Sequence, residues 1–272
     1  MKTLTMNKYQ AKGIDGRNDI NRVGFATVLL ALFWLFANGV TAAQSLPTSS
    51  EATAPAAADP KTYLAGIADE LSVSWPKNHT VNIVCHGHSV PAGYFKTPAV
   101  HTFDAYPHLL HQGLCERNPH AVINVIVTAI GGEDSEQGAA RFEASVLPLR
   151  PEVVTIDYAL NDRRIGLARS EKAWRTMIEA ALKQGIKVIL LTPTGDLSAK
   201  LDDPQDLLNQ HAALIRRLAA EYHVGLVDSL AQFQNYVHAG GQLADIMAQV
   251  NHPNRKGHEL VTAELLKWFP AK

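Results

Sequence analysis

Hydrophobic and polar positions along this chain alternate between two periods. Short apolar runs rich in β-branched residues occur at Val81 to Cys85, Ala121 to Ile130, Glu152 to Tyr158, Lys187 to Leu191 and Val224 to Val227. Each is followed by Gly, Pro, Asn, Asp or Ser, so each reads as a buried strand entering a turn. Between them lie stretches with helical spacing: Tyr63 to Val73, Thr102 to Leu114, Gly138 to Leu149, Glu171 to Gln184, Gln205 to Tyr222, a helix from about Ser229, and Arg255 to Trp268. Phe103, Tyr106, Leu109, Leu110 and Leu114 form the expected apolar stripe of the second of these. Strands that are apolar throughout and alternate with helices predict a parallel sheet covered on both faces. Right-handed crossovers then give a three-layer α/β/α sandwich. Five strands suit the order 2-1-3-4-5, with the first strand central.

The 272-residue chain is 46% hydrophobic, enough for a full core, and carries a formal net charge of −1. That balance gives no electrostatic case for nucleic acid or for an anionic membrane surface. Two cysteines, Cys85 and Cys115, form neither a thiolate metal site nor a redox motif. Two separate thiols are expected, one disulfide being the alternative in an exported chain.

The N-terminal part has a different character. A polar lead with Lys2, Lys8, Lys12, Arg17 and Arg22 precedes an apolar run from Val23 to Ala37, and small residues follow to Ala43. This matches a secretory signal, residues 1–43, and predicts an exported protein, periplasmic or secreted. The run is shorter than the roughly 20 residues of a membrane span, which favours cleavage over an uncleaved anchor through residues 23–37. Membrane association is expected only if that segment stays attached. Residues 44–60 are Ser, Thr, Ala and Pro without periodicity and read as a flexible linker. The folded domain is then residues 61–272, and no internal repeat is present.

The strand ends hold the chemistry. In an open α/β sheet, ligands bind beyond the carboxyl ends of the strands. The first strand ends in Gly87-His88-Ser89, the second in Gly131-Gly132, the third in Asn161-Asp162, and the last helix is preceded by His252-Pro253-Asn254. Serine becomes a nucleophile when a base takes its proton, and histidine has the pKa for that work. A glycine N–H and an asparagine amide suit an oxyanion. Singly, each has an ordinary reading. Serines fill turns, Gly-Gly makes strand-to-helix turns, Asn161-Asp162 caps the following segment, and His252-Pro253-Asn254 reads as a turn that starts the last helix, with His258 on its surface. Four together, in this order and at these places, carry more weight than any one.

These blocks resemble those of the SGNH hydrolases, the GDSL-type esterases and lipases, from about Val81 to Phe269. The resemblance implies Ser89 as nucleophile, His252 as base, and an oxyanion hole from Ser89, Gly132 in AIGGEDS and Asn161 in YALND. It implies the same sandwich and needs no metal or cofactor. The chain departs from the pattern in three places. His88 stands where the first block has Asp, Ala159 replaces a Gly two residues before Asn161, and Gln249 stands three residues before His252, where the triad acid belongs. Gln249 cannot carry the charge that stabilises an imidazolium. The readings left open are a Ser89–His252 dyad oriented by an amide or by backbone, Asp245 reaching in as surrogate acid, or an inactive site, ranked in that order. His88 and Tyr94, beside Ser89, are candidate substrate contacts, as is the loop from Gly195 to Pro204. The expectation is an exported esterase acting on a small-molecule or carbohydrate ester, with acetyl on carbohydrate the leading substrate. The alternatives are a lysophospholipase- or thioesterase-type acyl hydrolase, or a weak or inactive carbohydrate-binding or cell-wall protein on the same fold.

Overall fold

The computed structural model describes residues 56–270. The signal segment, and the linker as far as residue 55, lie outside the described residues. The linker's last residues are packed: Ala58 donates its N–H to the Val224 carbonyl, and the Ala56 carbonyl meets His223 Nδ1. Packing against the domain therefore extends a few residues before Lys61.

In chain order the elements are α1 (Ala65–Leu71), β1 (Thr80–Gly87), α2 (Ser89–Ala92), α3 (Tyr106–Arg117), β2 (Val122–Val127), α4 (Ser135–Ser145), β3 (Val153–Asp157), α5 (Ala159–Asp162), α6 (Leu167–Lys183), β4 (Lys187–Leu191), α7 (Leu207–Tyr222), β5 (Gly225–Val227), α8 (Ser229–His238), the short strands β6 (Met247–Gln249) and β7 (His252–Pro253), and α9 (Arg255–Leu266). The main sheet is wholly parallel, in the order β2-β1-β3-β4-β5. This is the expected architecture with the expected central strand.

Period-two alternation sends successive strand residues to opposite faces. Val81, Ile83, Cys85, Ile189 and Leu191 pack with α1, α3, α8 and α9 through Leu71, Tyr106, Leu114, Phe233 and Leu265. Val84, Val154, Ile156, Val188 and Leu190 pack with α4, α6 and α7 through Phe142, Trp174, Met177 and Leu218. Burying each such side chain contributes roughly 1.5–3 kcal/mol.

Several bounds shift, with β2 ending at Val127, α4 starting at Ser135 and α6 at Leu167, and two features change more. The second helix starts later: Thr102–Asp104 is a 3-10 turn, α3 begins at Tyr106 with Pro107 in its first turn, and Phe103 is 71% exposed rather than on the stripe. The fragment before α9 is an antiparallel hairpin, β6 with β7, that the apolar pattern is too short to announce. Cys85 is buried, Cys115 is exposed, and both are free thiols.

Candidate active site

β1 carries Ser89 to the carboxyl edge of the sheet. Gly87 pairs with Asp157 on β3, so close that a Cβ on Gly87 would stand 2.5 Å from the Asp157 carbonyl. The backbone then turns at once into α2, whose first residue is Ser89 and whose N-cap is His88, accepting from the Val90 N–H at 3.2 Å. Gly93 ends this short helix at φ 86°, in the left-handed region that glycine tolerates best.

His252 arrives from the other end of the chain on β7. Asn254 follows as the N-cap of α9, accepting from the Gly257 N–H at 3.2 Å, and its own N–H donates to the Ile246 carbonyl. Its side-chain amide also donates to the carbonyls of Asp245 and Met247. The cap of α9 is therefore also the brace of the hairpin that presents His252.

Ser89 Oγ and His252 Nε2 are 3.0 Å apart, and each residue is 5% exposed. On the far side of the ring, His252 Nδ1 lies 3.2 Å from the Phe95 carbonyl. An Nδ1–H donated to that carbonyl leaves the Nε2 lone pair facing the Ser89 hydroxyl. Burial lowers the His252 pKa from its ordinary value of 6.5, partly offset by the bond to Phe95, while neighbouring His88 lowers it further.

Neither sequence candidate for an orienter fills that place. Asp245 accepts from the Gln242 N–H and from Tyr236 Oη, closing a local turn. Gln249 accepts the Thr97 N–H through Oε1 at 2.8 Å. Thr97 belongs to the loop that carries Phe95. That loop is closed by a Tyr94–Val100 bridge, by Phe95 N–H to the Ala99 carbonyl, and by stacking of Phe95 on His101 at 4.1 Å. Gln249 thus holds the loop whose carbonyl faces His252, one step removed from the ring. No side-chain pattern could flag Phe95, because its contribution is a main-chain oxygen.

β1 lies between β2 and β3, so the loops after those strands flank Ser89. The Ile130 N–H bonds the Gly87 carbonyl, and the next two residues are Gly131 and Gly132. Gly132 has φ 84° and open space where a Cβ would stand. A Cβ on Gly131 would come within 2.7 Å of the Tyr94 ring, whose centroid is 5.9 Å from that of His252. Tyr94 is therefore beside the Ser–His pair. Asn161 donates through Nδ2 to the Glu133 carbonyl at 2.7 Å, tying the two flanking loops together. One amide N–H is spent on this bond and a second donor remains. Arg164 reinforces the junction through the Gly132 carbonyl, at 2.6 Å.

His88 needs correction. It is 1% exposed, its Nδ1 faces Val90 N–H and Ser89 Oγ, and its Nε2 faces Asp157. It is wedged between strand and helix and cannot touch substrate from the surface. Part of the loop after Gly195 borders Asn161: Ser198 and Ala199 line an open groove of about 530 Å³ with Asn161, Arg163, Arg164 and Asp206, and with the apolar side chains of Leu160 and Leu207. Arg163 is paired with Asp196 at 2.6 Å, and Asp196 also accepts from Ser198.

A parallel five-stranded sandwich with a serine and histidine joined at its carboxyl edge is the layout of an α/β hydrolase in the broad sense. Residues 85–260 match the sequence model of the GDSL-like Lipase/Acylhydrolase family, and the chain belongs to that family of carboxylic ester hydrolases. A search of curated protein sequences finds no match. Among solved structures, a two-domain esterase active on acetylated mannans superposes with TM-score 0.63 at 21% identity, covering 76% of this chain and 52% of its own. The chain thus spans about half the length of that esterase. An acetylxylan esterase from Geobacillus stearothermophilus gives TM-score 0.62 at 21% identity, covering 71% of this chain and 95% of its own. A catalytic variant of the same enzyme gives 0.62 at 19% identity, over 74% and 97%. At these identities the likeness is one of fold.

Proposed function

We propose that the protein is an exported serine esterase that removes short acyl groups, acetyl foremost, from carbohydrate. The observation that carries this reading is the 3.0 Å contact between Ser89 Oγ and a His252 ring whose other nitrogen is engaged by a backbone carbonyl. Ser89 Oγ attacks the acyl carbon while His252 Nε2 takes its proton. Ser89 N–H, Gly132 N–H and the Asn161 amide receive the oxyanion, each such donor being worth about 3 kcal/mol in a transition state. The tetrahedral intermediate collapses, its C–O bond to the alcohol breaks, and His252 returns the proton to the leaving oxygen. Water, deprotonated by His252, then cleaves the acyl-enzyme to acid and free Ser89. The Phe95 carbonyl does the orienting that a triad acid would do, without a full charge.

The groove beside Asn161 supports this substrate class. Its walls carry guanidinium, carboxylate, hydroxyl and amide groups beside Leu160, Ala199 and Leu207, a mixed lining that suits a sugar better than a long acyl chain. The fold neighbours active on acetylated mannan and xylan support the same class. Export rests on the N-terminal sequence.

The test is hydrolysis of p-nitrophenyl acetate, butyrate and octanoate and of acetylated xylan and mannan. Wild type should prefer acetyl and release acetate from the polysaccharides, while Ser89→Ala and His252→Ala lose at least 10³-fold in kcat. No turnover on any ester would refute the reading, and preference for octanoate would redirect it toward lipids. N-terminal sequencing of the mature protein from cell fractions tests export.

A further inference from the structure

Ser89 has a second imidazole beside it. His88 Nδ1 lies 3.4 Å from Ser89 Oγ and accepts the Val90 N–H at 3.2 Å, so Nδ1 is unprotonated. The ring proton of neutral His88 is therefore on Nε2. That atom is buried and makes no hydrogen bond among the described residues; the nearest charged group is the Asp157 carboxylate, whose Oδ1 stands 3.4 Å away, within electrostatic reach. Asp157 is 2% exposed, and its second oxygen accepts from Tyr106 Oη at 3.3 Å. Its backbone carbonyl also receives the His88 N–H at 3.2 Å. Carboxylate, imidazole and serine hydroxyl thus follow one another at 3.4 Å steps, all of them buried. The first block lacks its usual acid and the position before His252 lacks the triad acid, yet a carboxylate is buried one ring away from the nucleophile.

We propose that Asp157, acting through His88, is a positioning residue for Ser89. This rests on the reading of Ser89 as nucleophile. Asp157 holds the proton of His88 on Nε2 and so keeps Nδ1 bare. A bare Nδ1 caps α2 through Val90 and offers Ser89 Oγ no donor on that flank. The Oγ lone pairs stay free for attack, and the Oγ proton goes to His252. With the proton on Nδ1 instead, that N–H would oppose Val90 N–H and donate into Ser89 Oγ, engaging the electrons that must form the new bond. The pair transfers no proton in the reaction. It fixes a tautomer and, through it, the hydrogen bonding of the nucleophile.

Asp157→Asn supplies the discriminating change, because an amide N–H turned toward Nε2 favours the wrong tautomer with little change of shape. Substituting the acid directly behind a catalytic histidine costs about 10⁴-fold. One ring further away, the expected loss in kcat is on the order of 10- to 100-fold, with KM little changed. His88→Asn retains a cap for Val90 N–H but removes the relay, and should lose a similar factor. The double variant should be no slower than the worse single variant, since both break one unit. Each rate is normalised to folded protein by thermal melting and active-site titration. Nitrogen-15 shifts of His88 should show Nε2–H in wild type and in Ser89→Ala, and a shift toward Nδ1–H in Asp157→Asn.

Wild-type kcat in Asp157→Asn, or losses that multiply in the double variant, would overturn the proposal. So would Nδ1–H or a doubly protonated His88 in wild type near pH 7. The rate at which a fluorophosphonate labels Ser89 separates this idea from the esterase reading. If esters are not hydrolysed but labelling slows in Asp157→Asn, the esterase reading fails and the positioning role stands. If esters are hydrolysed and labelling is unaffected by Asp157→Asn, the positioning role fails alone.

Discussion

At the scale of single residues, the site replaces a charge with a dipole. His252 is oriented by the Phe95 carbonyl, so nothing beside Nδ1 holds its pKa above the ordinary value, and burial lowers it. As the proposed base, His252 works when neutral, and activity should fall as pH drops through its pKa. The acid limb of kcat/KM on p-nitrophenyl acetate should therefore have its midpoint below pH 6.5. A carboxylate at Nδ1 would raise that pKa, so a midpoint above 6.5 would show that an acid, not Phe95, faces the ring. Gln249 is tested the same way. Gln249→Ala frees the Thr97 N–H and loosens the loop that carries Phe95. We expect kcat to fall by about tenfold, roughly 1.4 kcal/mol, with KM within a factor of two. Unchanged kcat would show that the loop needs no such tie. The serine, glycine, asparagine and histidine of this site could be read from the chain because each uses a side chain or a glycine at a strand end. Phe95 and Asp157 could not. One acts through its backbone, and the other looks like an ordinary end-of-strand residue until His88 is seen to face it.

At the scale of elements, the existence and order of the strands were the most legible feature, although β2 ends at Val127 and not at Ile130. β4 runs from Lys187 to Leu191, as its apolar run requires, because a strand buried on both faces tolerates no polar interruption. Pieces of two to four residues were not legible. α2, α5 and the β6–β7 hairpin are too short for either period to register, yet they are the pieces that aim Ser89, Asn161 and His252. The cap reading of Asn161-Asp162 turns out to hold in a different form. Asp162 accepts the Ser135 N–H at the start of α4, together with Ser170 Oγ and Trp174 Nε1, each within 2.8 Å. A fully buried carboxylate with three donors joins α4, α5 and α6 just behind the oxyanion loops. Asp162→Ala leaves those donors without an acceptor and should cost about 3 kcal/mol, seen as a fall of roughly 10 °C in Tm. A change below 2 °C would mean the three elements do not depend on this joint.

At the scale of the whole molecule, buried histidines make the fold acid-sensitive by a route separate from catalysis, His86 and His258 most strongly. His258 on α9 accepts the Tyr106 N–H at the start of α3, joining the two helices on one sheet face. His86 on β1 lies against Phe142 and Tyr158 on the other face, with Nδ1 on Thr128 and Nε2 near Tyr158 Oη and the Gly138 carbonyl. Burial is the main cause that lowers both pKa values, to about 3, with Arg141 adding to the effect on His86. Unfolded, each histidine titrates near its ordinary 6.5. Above that pH both states leave these rings neutral, and the histidines add no pH dependence. Between 6.5 and about 3 the unfolded chain binds two protons that the native state refuses. Stability should then fall by about 1.4 kcal/mol per pH unit for each histidine. Urea unfolding at pH 7, 6, 5 and 4 should show that loss, and His258→Gln should remove about 1.4 kcal/mol per pH unit of it, while His211 and His252, whose pKa values burial also lowers, add to the remaining slope. The window overlaps the acid limb expected for His252. Rates below pH 6 must therefore be taken with the folded fraction followed by tryptophan fluorescence. Activity lost while fluorescence stays native reports protonation of the base. Activity and fluorescence lost together report His86 and His258.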